Sequence, residues 1–333
     1  MEYVWLIGGF VLLIVGADVF VEGSSAIAKL FKIPAIIIGL TVVAFGTSMP
    51  EASVSISAAL AGENSLAISN AIGSNIFNLL VVLGASAAIL PVATNAAAVK
   101  KEIPFSIGIT VVLGAILCFG AKFAEVTIPE NGFFEKLKGA SFTLGRIGGI
   151  ILIALFALYM YWQISGALKA RRNGEVEEEL DDGKKLSPMM AIEMVILGIV
   201  GIIIGGDLVV DNATIIAENF GMSQTFIGLT IVALGTSLPE LVTSMVAAKK
   251  GENDLALGNV IGSNIFNIIF ILGFSSIIAP MSVDILSIYD IIILAGISVV
   301  AWIFAKTKSK VSRGEGLIML GMYAVYFVYI LLR

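Results

Sequence analysis

Histidine is absent from this chain, cysteine occurs once, and charged residues are scarce. Charged residues make up 14% of the 333 positions and hydrophobic residues 58%, so polar surface is too limited to cover a soluble fold of this length. The single Cys118 cannot form an internal disulfide. A transition-metal site is disfavoured, because imidazole and thiolate are the ligands that such metals select.

Motifs of several protein classes are missing as well. No phosphate-binding glycine loop or nucleophile motif occurs, so we predict no enzyme activity. Asp18 and Asp207 lack the GxGD context of intramembrane aspartyl proteases. The start, MEYVWLIGGF, has no basic n-region and no small-residue cleavage site before Asp18, which predicts an uncleaved first helix. We expect no cofactor, no nucleic-acid partner and no obligatory protein partner.

A series of long apolar segments dominates the chain. Segments of about 17–25 residues can cross a hydrocarbon core of about 30 Å as helices, and the alternating strands typical of a membrane barrel are absent. We therefore predict an all-α protein with ten transmembrane helices in a lipid bilayer. The predicted spans are 3–21, 34–60, 65–91, 103–120, 147–168, 190–210, 223–248, 254–280, 287–306 and 314–332.

A long internal repeat relates the two halves. Residues 39–91 align with 228–280 without a gap, at a constant offset of 189, and 31 of the 53 positions are identical. A duplicated membrane segment that carries an ionisable residue and is interrupted by glycine and proline is typical of a secondary transporter's binding site. Five spans per half is an odd number, so the second copy enters the membrane in the opposite orientation. The prediction is two inverted-topology repeats of five helices.

The basic residues orient the chain. With the N-terminus outside, all but five of the 20 Lys and Arg residues fall at the cytoplasmic side, as the positive-inside rule favours. We expect a multi-pass protein of the cytoplasmic (plasma or inner) membrane with both termini outside. Its parts are a first repeat region at 1–120 (helices 1–4), an outer loop at 121–146, helix 5 at 147–168, a cytoplasmic linker at 169–189 and a second repeat region at 190–333 (helices 6–10).

The first repeated motif reads GTSMPE at 46–51 and GTSLPE at 235–240. Its proline has no N–H, so the carbonyl four residues earlier loses its partner and the helix is expected to break or kink near mid-membrane. A carboxylate at that depth usually serves a substrate or proton pathway, because its insertion is costly. The carboxylates with the neighbouring Thr and Ser oxygens predict a cluster of hard ligands that suits Na⁺, Ca²⁺ or Mg²⁺.

The second repeated motif, GSNIFN, is identical in both copies. Its glycine lets helices approach closely. Its serine and its last asparagine are four residues apart and share one helix face; these are Ser74 with Asn78 and Ser263 with Asn267. The middle asparagines, Asn75 and Asn264, are expected to face elsewhere, in packing or at a kink. Helices 2, 3, 7 and 8 are thus predicted to be broken or kinked and to build one midplane site.

Charge favours calcium among these cations. Two carboxylates balance one divalent ion, and Ca²⁺ takes six to eight oxygen ligands, whereas Mg²⁺ tends to keep its waters. The same oxygens, divided into smaller groups, could hold several Na⁺ ions, and competition of two ions for one carboxylate pair is what antiport requires. The residues leave open an exchanger of H⁺ for Ca²⁺ or another divalent cation that uses the same glutamates and, less favoured, a cation channel.

The paired GTSxPE and GSNIFN motifs resemble the α-repeats of the sodium/calcium exchanger family, within the calcium:cation antiporter superfamily. The resemblance covers both repeats and the ten-helix plan. It is closest to compact prokaryotic members, because 171–185 has no room for the large regulatory domain of animal exchangers. It implies a secondary active antiporter that exchanges Na⁺ for Ca²⁺ by alternating access, with helices 1 and 6 moving against the rest, in electrogenic Ca²⁺ extrusion.

The resemblance also implies ligands by position. The central Ca²⁺ ligands would be Glu51 and Glu240 with the backbone carbonyls of Thr47 and Thr236. One Na⁺ site would comprise the Ala44 carbonyl, the Ser48 and Ser74 hydroxyls and Glu51; its mate would comprise Ala233, Ser237, Ser263 and Glu240. Asn78 and Asn267 would lie between them. Potassium-dependent relatives typically have aspartate where this chain has Asn267, which argues against potassium co-transport.

Overall fold

The computed structural model describes residues 1–120, 141–174, 186–222, 231, 233–283 and 285–332. The protein is a helical, multi-pass membrane protein. Its helices are α1 Glu2–Phe31, α2 Ala35–Thr47, α3 Met49–Ala61, α4 Ser65–Ile89, α5 Ala98–Phe119, α6 Arg146–Asn173, α7 Pro188–Asn219, α8 Ala233–Gly235, α9 Leu238–Lys249, α10 Asn253–Ile278, α11 Ile285–Lys306 and α12 Arg313–Leu332.

The membrane spans follow the apolar segments of the sequence. Within the described residues, eight helices are long and apolar enough to cross a membrane, and a ninth span results if the bent pair α2 and α3 counts as one. The predicted span at 223–248 includes α8 and α9, but residues 223–230 and 232 lie outside the described part. The amphipathic segment suggested within the outer loop falls on 121–140, also outside it.

Helices α4 and α10 form the centre of the protein. Their apolar windows are 72% and 78% buried, whereas the other single-helix spans are at most 44% buried. Both helices come from the repeated sequence, so these two duplicated segments lie inside the bundle. Ionisable and amide side chains on these inner helices are therefore shielded from lipid.

The third and eighth spans, which were predicted to be broken or kinked, are continuous helices distorted by a wider helical turn. Residues 65–89 and 253–278 are each continuous helix, and π-helical turns begin at Asn78 and at Asn267. Neither segment contains proline, so every residue keeps an N–H for the helix and no carbonyl is forced to lose its partner. A π turn inserts one residue instead, a distortion common at functional sites.

Two short antiparallel ribbons tie the repeats together. β1 (Val92–Ala93) follows α4 and pairs with β4 (Lys310–Val311), which precedes α12. β3 (Met281–Val283) follows α10 and pairs with β2 (Phe142–Leu144), which precedes α6. Each inner helix is thus followed by a strand that pairs with the opposite repeat, in a matched arrangement.

Helices α1 and α7 pack closely along their length. A Cβ on Gly16 would lie 2.8 Å from the backbone nitrogen of Ile202, and one on Gly198 would lie 2.6 Å from the Cβ of Phe20. A side chain cannot be accommodated at either glycine, because the facing helix lies directly against it. Such glycine contacts are the usual means by which membrane helices approach closely.

Several helix ends lie further out than the hydropathy pattern predicts. α1 continues to Phe31 and α7 to Asn219, past charged residues that can reach the membrane surface. α6 extends to Asn173, so the linker predicted at 169–189 begins later. Of the predicted outer loop, residues 141–146 are described and contain β2 and the first residue of α6.

Candidate cation-binding site

The two GTSxPE motifs interrupt their helices at matched positions. α2 ends at Thr47 and α3 begins at Met49, with the helix axes bent by 52°. The residue between them, Ser48, has φ −85° and ψ 11°, and its mate Ser237 has φ −93° and ψ 6°. The proline stands in the first turn of each following helix, where its missing N–H costs nothing. The predicted breaks at these two motifs are present.

Each serine at a break donates a hydrogen bond to the glutamate of the opposite repeat. The Ser48 hydroxyl lies 2.7 Å from Oε1 of Glu240, and the Ser237 hydroxyl lies 2.8 Å from Oε1 of Glu51. A third donor, the Ser263 hydroxyl, lies 3.4 Å from the same Glu240 oxygen. All five residues are buried. The two carboxylates are therefore held in one site by groups from both repeats.

The middle asparagines of GSNIFN, expected in packing or at a kink, lie at the contact between α4 and α10. Asn75 donates from Nδ2 to the main-chain carbonyl of Asn264 at 3.0 Å, and Asn264 donates to that of Asn75 at 3.2 Å. Oδ1 of Asn264 accepts from Nδ2 of Asn78 at 3.2 Å, and Oδ1 of Asn75 accepts from Nδ2 of Asn267 at 2.9 Å. This network, here called the asparagine cross, fixes the amides of Asn78 and Asn267.

A second pair of asparagines supports the helix that follows each break. Asn70 Nδ2 donates to the main-chain carbonyl of Glu51 at 3.3 Å and to the Ser55 hydroxyl at 2.9 Å. Its mate Asn259 makes the same two contacts, to Glu240 at 3.4 Å and to Ser244 at 2.9 Å. Motif spacing did not point to this pair. The same residue type at both positions of the 189-residue repeat could have identified them.

The remaining predicted ligands lie around the same breaks. Thr47 donates from Oγ1 to Oδ1 of Asn259 at 2.9 Å. The Ala44 carbonyl accepts the Ser48 N–H at 3.1 Å and the Thr47 hydroxyl at 3.4 Å. Ala233 is the first residue of α8. The glycine of GSNIFN was predicted to let helices approach closely. At Gly262 it does, because an added Cβ would lie 2.7 Å from Leu40. At Gly73 an added Cβ would have none of the described atoms within 4 Å.

Within the part of the chain that the structure describes, six buried oxygens in this region have no hydrogen-bond partner. They belong to predicted ligands, and four of them form repeat-matched pairs: Glu51 Oε2 with Glu240 Oε2, and Asn78 Oδ1 with Asn267 Oδ1; the others are Ser74 Oγ and Thr236 Oγ1. A buried polar atom without a partner is costly. Unpaired carboxylate and amide oxygens with hydroxyls form a ligand set for a hard cation.

The site contains few charged ligands. Among the described residues, no group of three or more His, Cys, Asp or Glu side chains could hold a metal ion. The negative charge of the site comes from the two glutamates, and its other oxygens are neutral. Such a set suits exchangeable alkali or alkaline-earth cations, because tight transition-metal sites use softer ligands.

Comparisons with known proteins find similarity over most of the chain. The family described as "Sodium/calcium exchanger protein" matches residues 1–165 and 190–332. The inner membrane protein YrbG of Escherichia coli is 35% identical over 329 residues, which cover 96% of this chain and 94% of that protein. The putative antiporter CaxA of Alkalimonas amylolytica is 41% identical over 84% of this chain and 82% of its own length.

Two further relatives span nearly the full length. The sodium/calcium exchanger MaX1 of Methanosarcina acetivorans is 33% identical over 98% of each chain. A solved structure of the sodium-calcium exchanger NCX_Mj, soaked with Na⁺ and Sr²⁺, superposes with a TM-score of 0.79 at 31% identity, covering 98% of both chains.

Proposed function

Because the chain belongs to the sodium/calcium exchanger protein family and is a cation/Ca²⁺ exchanger, not an enzyme, we propose that it exchanges Na⁺ for Ca²⁺ across the cytoplasmic membrane. Exchange proceeds by alternating access to one site that both repeats build. Na⁺ and Ca²⁺ are the transported ions and compete for the two carboxylates. In this proposal the exchange is electrogenic, and Na⁺ entry drives Ca²⁺ extrusion.

The unpaired oxygens carry this proposal. Two carboxylate oxygens and two amide oxygens at repeat-matched positions lack donors among the described residues, although every one of them is buried. Ca²⁺ needs six to eight oxygen ligands, and the hydroxyls of Ser74 and Thr236 add to the same set. A bound cation would compensate these atoms for the water that they have lost.

The serine hydrogen bonds favour Na⁺ as the counter-ion. Ser48 and Ser237 each place a hydroxyl oxygen within 2.8 Å of a carboxylate of the other repeat. A hydroxyl can turn its hydrogen away and present a lone pair to a cation. The carboxylates, hydroxyls and carbonyls at each break can then divide into two smaller sets for Na⁺, with Ala44 in one and Ala233 in the other. The structural relative NCX_Mj is named a sodium-calcium exchanger.

The proposed topology has ten spans in two inverted repeats, with both termini outside. The ribbons support it. β1 and β4 both lie in connections that this topology places at the cytoplasmic side, and β2 and β3 both lie in connections that it places outside. In this arrangement the first repeat region covers 1–120, helix 5 follows the outer loop, and the second repeat region covers 190–333. The relative YrbG is named an inner membrane protein.

Proteoliposomes test the counter-ion directly. Purified protein is reconstituted, the vesicles are loaded with Na⁺, and uptake of radiolabelled Ca²⁺ is followed after dilution into Na⁺-free buffer. We expect an outward Na⁺ gradient to drive uptake. Uptake that responds to an outward proton gradient and not to Na⁺ would establish the H⁺/Ca²⁺ alternative, and Ca²⁺ flux without any counter-ion gradient would indicate a channel.

A matched pair of variants tests the site. Glu51→Gln and Glu240→Gln keep the size of the side chain but remove one of the two charges that balance Ca²⁺, so exchange should be abolished. The control is Glu63→Gln at the exposed turn between α3 and α4, which should exchange normally. Ca²⁺ transport that survives in either site variant would refute the ligand assignment.

A further inference from the structure

An ion pair joins the end of α9 to α1. Lys250, directly after α9, places Nζ 2.8 Å from Oδ1 of Asp18 and 3.7 Å from Oε2 of Glu22, both on α1. It also donates to the main-chain carbonyl of Asp18 at 3.1 Å. One turn further along α1, the Ser25 hydroxyl lies 2.5 Å from Oε1 of Glu252. The turn between α9 and α10 is thus attached to α1.

The repeat offset of 189 locates the equivalent position at the other end. There Asp18 corresponds to Asp207 and Glu22 to Asp211, both on α7 and both exposed. Lys250 corresponds to Ala61, at the end of α3. The two acidic residues are therefore duplicated, but the cation between them is not, and a methyl group cannot form an ion pair.

Helix packing shows the same asymmetry. α1 packs along α9, the helix that follows the second break. Its mate α7 has no comparable packing against α3, and both of these helices are fully described. Since α1 and α7 are joined to each other through their glycines, a movement of one carries the other. If α1 moved away from α9, the ion pair of Lys250 would separate.

We propose that Lys250, Asp18 and Glu22 form a latch that closes the pathway at the Lys250 end, and that the lack of a cation at position 61 leaves the opposite end free to open. The proposed topology places the latch at the cytoplasmic side, so the latch favours a protein that opens outward. This sidedness rests on the proposed function, whereas the latch itself can be measured without transport.

The size of the effect follows from the exposure of the latch. The side chains of Lys250, Asp18 and Glu22 are 31%, 51% and 54% exposed, respectively. Solvent screens such pairs, which typically shift an equilibrium by about 1.5-fold to 5-fold. The latch is therefore a bias between the two open states and not a lock, as a working transporter requires.

The test measures access to the site from each end. In a Cys118→Ser background, single cysteines replace Ser244 or Ser55, which lie four residues after the two glutamates and so on the same helix face. Ser244 is on the Lys250 side of the site and Ser55 is on the Ala61 side. The protein is placed in lipid nanodiscs, where both faces are open to solvent, and the rate of reaction with a charged thiol reagent is measured.

Lys250→Ala should raise the labelling rate at position 244 relative to position 55 by about 1.5-fold to 5-fold. Lys250→Arg should keep the parent ratio, because it keeps the charge. Ala61→Lys should act like Lys250→Ala, since it creates the mirror latch with Asp207 and Asp211. Lys249→Ala is the control, because this neighbouring lysine makes no ion pair with α1 in the described structure.

The latch proposal is refuted if Lys250→Ala leaves the ratio of the labelling rates at positions 244 and 55 unchanged. This includes the case in which neither cysteine reacts faster than in the parent. The same holds if Lys249→Ala gives an equal change. These outcomes are distinct from failure of the proposed function, which would appear as absent Na⁺-driven Ca²⁺ uptake in the parent protein. A parent that exchanges Na⁺ for Ca²⁺ with an unchanged labelling ratio keeps its function and loses the latch.

Discussion

The asparagine cross allows a prediction whose size can be worked out from the structure. Replacing Asn264 by leucine keeps a side chain of similar size but removes two hydrogen bonds, the donation to the Asn75 carbonyl and the acceptance from Asn78, both 3.2 Å long. Interhelical hydrogen bonds in membranes contribute about 0.6 kcal/mol on average and at most about 1.7. The free energy of unfolding should therefore fall by about 1–3 kcal/mol.

The second consequence concerns cation binding. Once its Nδ2 has lost its acceptor, the Asn78 amide can rotate, and its Oδ1 no longer points reliably toward the cation. A tenfold loss of affinity costs about 1.4 kcal/mol. At a Ca²⁺ concentration 100 times the parent's Kd, binding stabilises the parent by about 2.7 kcal/mol, and a variant tenfold weaker would gain only about 1.4.

Unfolding in mixed micelles, followed through the three tryptophans, measures both quantities. Asn75→Leu is the symmetry-matched variant and should cost nearly the same, because it removes the equivalent two contacts. Asn219→Leu, at the exposed end of α7, is the control and should change stability by less than about 0.5 kcal/mol. If Asn264→Leu unfolds like the parent and shows the full Ca²⁺ stabilisation, the asparagine cross does not position the ligands.

Three further predictions concern the site. Ser48→Ala and Ser237→Ala should each weaken Na⁺-driven Ca²⁺ uptake by about tenfold or more, since each removes a hydrogen bond to a buried carboxylate. A large effect in only one of the two variants would contradict the symmetry of the site. Gly262→Ala should destabilise the protein by about 1–3 kcal/mol, because its Cβ would lie 2.7 Å from Leu40, whereas Gly73→Ala should be tolerated. Equal midpoints of thermal unfolding for the two variants would argue against the close contact at Gly262. Asn267→Asp adds a third carboxylate and should make Ca²⁺ uptake respond to K⁺, and uptake that remains insensitive to K⁺ would remove this residue from the explanation of ion choice.

Much of the site was visible in the sequence because the repeat marks it twice. The breaks at Ser48 and Ser237 follow from proline chemistry alone, and the burial of the two glutamates follows from their apolar surroundings. The third and eighth spans were predicted to be broken or kinked. They contain no break, because hydroxyl and amide side chains do not interrupt a helix as proline does, and each is distorted by a π turn instead. A π turn cannot be distinguished from a regular turn by residue spacing.

The asparagines show the limit of spacing arguments. Asn75 is one residue from Ser74 and was expected to face elsewhere than Ser74, in packing or at a kink, but its spacing could not identify its partner. When α4 crosses α10, that other face meets its own repeat mate, and Asn75 and Asn264 become partners. The contact joins two segments 189 residues apart, so no local pattern encodes it.

The sequence by itself determined that the chain is a membrane protein, that its two halves are related, and that a pair of carboxylates with neutral oxygens forms its chemical centre. These properties depend on composition, on residue type and on short spacings, which local chemistry governs. Only the tertiary structure decided that Ser48 and Ser237 each bind the glutamate of the other repeat and that the asparagine cross forms. It also decided that Lys250 pairs with Asp18 on α1. Those features depend on which faces meet when two near-identical halves pack in opposite directions, and only packing fixes that.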